Sequence, residues 1–122
     1  MAEILFFRNA ANVRLLESGD VLFSEGDVGE EMFAVIEGEL ELQVAGRTVD
    51  RVGPGAIVGE MALIDRSPRS ATVVASVPSK VAPVDRKAFT YLVQEHPTFA
   101  LQVMEIMAER LRKANAGSQP SA

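Results

Sequence analysis

Between Val13 and Asp85 the apolar residues come in short alternating runs broken by glycine; after Asp85 they recur at helical spacing. The runs "VRLL" (13–16), "VLF" (21–23), "MFAVIEGELELQV" (32–44, folded at Glu37-Gly38), "RTVDRV" (47–52), "SATVVAS" (70–76) and "KVAPVD" (80–85) predict strands with turns between them, and "GPGAIV" (53–58) predicts a turn entering a short strand. In "ELELQV" the alternation sets Leu40, Leu42 and Val44 on one face, with Glu39, Glu41 and Gln43 outward. From Asp85, a residue type that caps helices, Phe89, Leu92 and Val93 share a helical face. His96-Pro97 interrupts the chain, and Pro97 suits the first turn of a second helix. There Phe99, Val103, Ile106, Met107 and Leu111 form one stripe. The expected fold is mainly β: a jelly-roll-like β-roll (a double-stranded β-helix) over 13–85, then two α-helices over 86–114. An N-terminal segment (1–12) precedes this single domain of 13–115, and a polar tail (116–122) reads as disordered.

One stretch does not fit plain alternation. "GEMALIDRSPRSATVVA", Gly59 to Ala75, reads as a short helix, a polar turn and a strand. Glu60 and Arg69 stand nine residues apart with opposite charges. They are either a surface ion pair or two groups facing one small ligand. The start of a helix after glycine presents unpaired N–H groups to an anion, and Gly59 lets the backbone approach it. An arginine beside it can fork two charge-assisted bonds onto phosphate oxygens. A carboxylate at that helix start would be repelled by phosphate unless it faces another group, such as a ribose hydroxyl. Phosphate plus ribose is the ligand chemistry that fits.

Composition narrows the field. The chain has 122 residues, net charge −5, no Cys and one His. The acidic balance argues against nucleic-acid binding by this chain alone, because phosphate neutralisation needs a basic face. The densest basic cluster, Arg110, Arg112 and Lys113, sits where cations complement a helix dipole. No run has membrane-spanning length and the start does not read as a signal peptide, so the expected location is the cytoplasm, which the lack of Cys suits. A lone His96 with no thiolate counts against a metal centre of the kind that other β-rolls carry, and His96 itself reads as a helix-boundary residue. Glu25, Asp27, Glu30 and Glu31 surround turn glycines and read as a solvated loop, as does Arg66; the four Met between 32 and 107 read as core filling.

The cassette "GEMALIDRSPRSATVVA", with "SGDVLFSEGDVGEEMFAVIEGELEL" upstream of it, resembles the cyclic nucleotide-binding domain family, to which catabolite activator proteins, protein kinase A regulatory subunits and cyclic-nucleotide-gated channels belong. The similarity runs over about 13–112. It implies that Arg69 pairs with the cyclic phosphate, Glu60 accepts the ribose 2′-hydroxyl, and the backbone of Gly59, Met61, Ala62 and Ala71 completes the cradle. Ser70 follows the arginine, where many bacterial cAMP binders carry Ser, so the resemblance favours cAMP, with cGMP also possible. The family often has an aromatic residue before this glycine; here it is Val58, and the base would lean on Leu42, Ile57 and Val58. The implied protein is a non-catalytic, bacterial-type receptor whose ligand shifts the C-terminal helices toward an effector or partner protein. The helical stripe would pack on the roll, cover the base as a lid, or form a homodimer seam through Phe99, Val103, Ile106 and Met107. The chain reads as a stand-alone sensor or an excised domain, with the former favoured. Two rivals stand beside this reading. One is a β-roll interaction or dimerisation module without nucleotide affinity; the other is a cupin-like metalloenzyme, which a single His disfavours.

Overall fold

A computed structural model describes residues 12–118, with side chains to Asn115. Eight strands form two antiparallel sheets. In chain order they are β1 (Arg14–Leu16), β2 (Val21–Phe23), β3 (Met32–Glu37), β4 (Leu40–Val44), β5 (Arg47–Val52), β6 (Ile57–Val58), β7 (Thr72–Ala75) and β8 (Ser79–Val84). A short helix α1 (Glu60–Asp65) lies between β6 and β7, and α2 (Arg86–Glu95) and α3 (Thr98–Ser118) follow. The sheets run β1-β8-β3-β6 and β2-β7-β4-β5. This is the β-roll with C-terminal helices that the alternation predicts.

Strand alternation sorts the core into two layers. Phe33 and Val35 of β3 point between the sheets, where they meet Leu40, Val58, Val73 and Val81. Their neighbours Met32 and Ala34 point the other way, onto Ile57, Ala82, Val84 and the helices. The first sheet is therefore covered on both faces, which explains the unbroken apolar run "MFAVI". Asp85 caps α2 as expected, its carboxylate accepting from the Ala88 N–H at 2.8 Å. Phe89 meets Phe99 edge-on at 5.4 Å and ties α2 to α3.

The stripe on α3 packs on the roll, the first of the roles considered. Phe99, Val103 and Ile106 are buried against the roll, so these three do not form the expected dimer seam, and Met107, partly buried, packs on the same cluster. The apolar positions that α3 turns outward are Leu101, Met104 and Leu111. Leu111 leaves the stripe and is exposed, while Arg110 and Lys113 beside it on α3 pair with Glu60 and Asp50. Met61 and Met104 are exposed, and of the four internal methionines only Met32 is fully buried. Val44 is exposed too, since it ends β4 past a register shift between Leu42 and Gln43. Helix α3 continues to Ser118, so the first residues expected in a disordered tail are helical; segments 1–11 and 119–122 lie outside the described residues.

Candidate functional site

Arg69 and Glu60 do not pair with each other, and neither lies at the surface. Arg69 is 7% exposed and Glu60 5%. The Arg69 backbone is pinned first: its N–H donates to the Asp27 carbonyl, and its carbonyl accepts from the Gly26 N–H, both at 2.8 Å. Its side chain then folds inward over the Phe23 ring, 4.2 Å from the centroid. Nη1 donates to the carbonyls of Glu31 (2.7 Å) and Gly59 (3.2 Å). The Nη2–Nε edge bonds to none of the described residues and lies along Gly29, where a Cβ would overlap it. One edge of the guanidinium is thus held by backbone, and the other takes no hydrogen bond from the described residues. Burial pulls the Arg69 pKa below its ordinary value, while the charges of Glu31 and Asp27 oppose that. Arginine starts so high that it remains a cation.

Glu60 opens α1, and its carboxylate meets α3. Arg110 Nη1 donates to Glu60 Oε1 at 2.5 Å, and Arg110 Nη2 donates to the Ile57 carbonyl. The C-terminal helix is therefore tied to the short helix by a charged pair that is mostly out of water, with Glu60 buried and Arg110 25% exposed. At the other end of α1, Arg86 Nη2 donates to the carbonyls of Leu63 (2.6 Å) and Ile64 (3.1 Å), satisfying groups that the helix leaves open. Asp65 accepts from the Ser67 hydroxyl and N–H, which holds its carboxyl below the usual range.

A cavity of about 130 Å³ gathers these parts. Gly59, Glu60, Met61, Ala62, Arg69, Ser70 and Ala71 line it, with Leu42 and Val58 as apolar wall. Ile57 does not join them. Adjacent strand residues face opposite ways, so its side chain enters the layer under the helices while Val58 faces the cavity. Phe23, Val73 and Arg110 also line the cavity. Sequence reasoning missed all three; for Arg110 the only signal was a cluster of cations. That cluster is not a dipole partner: α3 has no basic residue in its last turn, and Arg110 and Lys113 both pair back onto the roll. Among the described residues no group of His, Cys, Asp and Glu could hold a metal ion. Two carboxylates of the acidic loop accept backbone bonds, Glu25 from the Ala45 N–H across the roll and Asp27 from the Ser24 N–H within the loop.

The profile of the cyclic nucleotide-binding domain matches residues 13–96. The chain belongs to the cyclic nucleotide-binding domain family. It is 33% identical over 107 residues to the cyclic AMP receptor protein of Thermus thermophilus, covering 84% of this chain and 50% of that one. A lysophospholipase of Aspergillus terreus is 31% identical over 102 residues, 80% of this chain but 7% of the enzyme. Among solved structures, a cyclic nucleotide-binding domain from Methylobacillus flagellatus has a TM-score of 0.79 at 29% identity, covering 90% of this chain and 67% of that one. The chain spans about half the length of the bacterial receptor and a small fraction of the fungal enzyme.

Within this cyclic nucleotide-binding domain Gly59 is a backbone position at the site that leaves no room for a side chain. Its φ is +79°, and a Cβ there would sit 2.5 Å from Arg69 Nη1 and 3.2 Å from the Glu31 carbonyl oxygen. Gly59→Ala is expected to cost about 1–2 kcal/mol in left-handed strain alone, and to push the guanidinium off its carbonyls. Thermal unfolding should show a fall of roughly 4 °C per kcal/mol; an unchanged melting temperature would contradict this account of the turn.

Proposed function

We propose that this domain is a non-catalytic receptor for a 3′,5′-cyclic nucleotide, with cAMP the favoured ligand, and that α3 carries the response. One observation carries the reading. A buried arginine, fixed by backbone through one edge and without a hydrogen bond from the described residues at the other, lines the same cavity as the start of α1 and Glu60. The cyclic phosphate would take the Nη2–Nε edge together with the N–H groups of Met61 and Ala62. Ser70, exposed at the cavity lining, adds a hydroxyl. The ribose 2′-hydroxyl would donate to Glu60.

Glu60 already holds Arg110, so anything that settles on Glu60 bears on α3. The ligand then shifts the position of α3 only as far as its affinity differs between the two placements. An attached effector or a separate partner protein would read that change at the outward face of α3, where Leu101, Met104 and Leu111 are exposed.

The test is calorimetric titration of refolded, nucleotide-free protein with cAMP and then cGMP. Saturation near one nucleotide per chain is expected. A folded, empty protein that gives neither heat nor thermal stabilisation with either nucleotide would leave the interaction-module reading in its place.

A further inference from the structure

The loop between β2 and β3 holds two glycines for different reasons. At Gly26 the backbone calls for one: φ is +88°, and a Cβ there would meet nothing within 4 Å. At Gly29 it does not, because Gly29 is not among the residues of positive φ. What glycine supplies at 29 is room. The three atoms nearest to a Cβ built there all belong to Arg69: Nη2 at 2.4 Å, Nε at 2.5 Å and Cζ at 2.6 Å. Non-bonded heavy atoms sit best at roughly 3.5–4.0 Å, so any side chain at 29 displaces the guanidinium.

The edge it would displace is the one that carries no bond. Nη1 is held by the carbonyls of Glu31 and Gly59, and the Phe23 ring centroid lies 4.2 Å from Cζ. The three distances at Gly29 are nearly equal, which sets that Cβ position over the Nη2–Nε edge and off the guanidinium plane. A point straight out in the plane would be clearly farther from Cζ than from either nitrogen. An oxyanion takes two parallel N–H bonds within that plane. The bare backbone at 29 therefore stands beside the approach of an anion without filling it. A methyl group there would tilt the edge away.

We propose that Gly29 is a positioning residue for the phosphate: its missing side chain lets the Nη2–Nε edge of Arg69 lie where two exocyclic oxygens can meet it in plane. The assignment rests on the cyclic nucleotide reading. It adds a residue outside the cavity lining that sets how well the phosphate is held. Gly29→Ala differs from Gly59→Ala in kind, because the new Cβ meets the end of one side chain and strains no left-handed turn.

Two measurements test it. The first is calorimetric titration of wild type and Gly29→Ala with cAMP and with its two phosphorothioate analogues, each carrying sulfur in place of one exocyclic oxygen. In wild type the analogue whose sulfur faces Arg69 should bind roughly ten-fold weaker than cAMP, the effect of one weakened bond to a charged group. Gly29→Ala should weaken cAMP by roughly ten-fold on the same grounds and close most of the gap to that analogue. The second is thermal unfolding of wild type, Gly29→Ala, Arg69→Ala and the double variant. Any fall in melting temperature caused by Gly29→Ala should vanish in the Arg69→Ala background, where the overlapping atoms are gone. Wild-type cAMP affinity in Gly29→Ala, an equal weakening of all three ligands, or a fall that persists without the guanidinium overturns the assignment. Wild type that binds none of the three ligands overturns the receptor reading itself, a different result from binding that ignores position 29.

Discussion

Arg69→Ala should remove measurable cyclic nucleotide binding, a loss of at least about 100-fold, from a chain that still folds. The magnitude follows from the bonds at stake. Two charge-assisted bonds to a phosphate at about 1.5–3 kcal/mol each amount to two or more powers of ten in affinity. The arginine is pre-set for them: Phe23 supports its plane, and Nη1 is fixed on the carbonyls of Glu31 and Gly59. Little side-chain entropy is left for the ligand to remove. The fold suffers less, because the cavity admits water to the two carbonyls once the side chain is gone; about 1–3 kcal/mol is expected. Arg69→Lys should fail to rescue binding, since an ammonium cannot hold two carbonyls with one edge and a phosphate with the other. Calorimetry and denaturant unfolding on the three proteins separate the two effects. Affinity near wild type in Arg69→Ala would place the phosphate elsewhere and end the argument for this cassette.

What could be read from the chain, and what could not, divides along the range of the interaction. The alternation of "ELELQV", the Asp85 cap and the break at His96-Pro97 are local, and each element stands where they place it, to within two residues. The stripe of Phe99, Val103 and Ile106 identifies the inner face of α3, but an apolar helical face does not announce whether a sheet or a second molecule covers it. Ile57 and Val58 are equally apolar neighbours, and which one faces the cavity depends on the register of β6 against β3, where Val58 opposes Phe33. Arg110 was the larger omission. Its partner lies fifty residues away and is fixed only when α3 crosses the start of α1. Charge spacing along α3 fits a dipole explanation just as well. Arg86 is similar, being an ordinary first-turn residue of α2 until α1 ends beside it.

Arg110→Ala should be the most damaging change at the site for stability, costing about 3–5 kcal/mol. The reason is asymmetric burial. Removing the guanidinium strands the Glu60 carboxylate, whose side chain is 6% exposed, whereas Arg110 is 25% exposed and can turn to water if Glu60 is lost. Glu60→Ala should therefore cost clearly less, and Glu60→Ala combined with Arg110→Ala should recover much of the single-variant loss. Denaturant unfolding of wild type, both single variants and the double variant closes that cycle. Strict additivity would mean that the pair carries no coupling. The same cycle tests the signalling route. If Glu60 passes ligand occupancy to α3 through Arg110, amide hydrogen exchange along α3 should respond to cAMP in wild type and cease to respond in Arg110→Ala, even where phosphate contacts at Arg69 still give binding. A response that persists without the guanidinium would leave the packing of Phe99, Val103 and Ile106 on the roll as the route from the site to the helix.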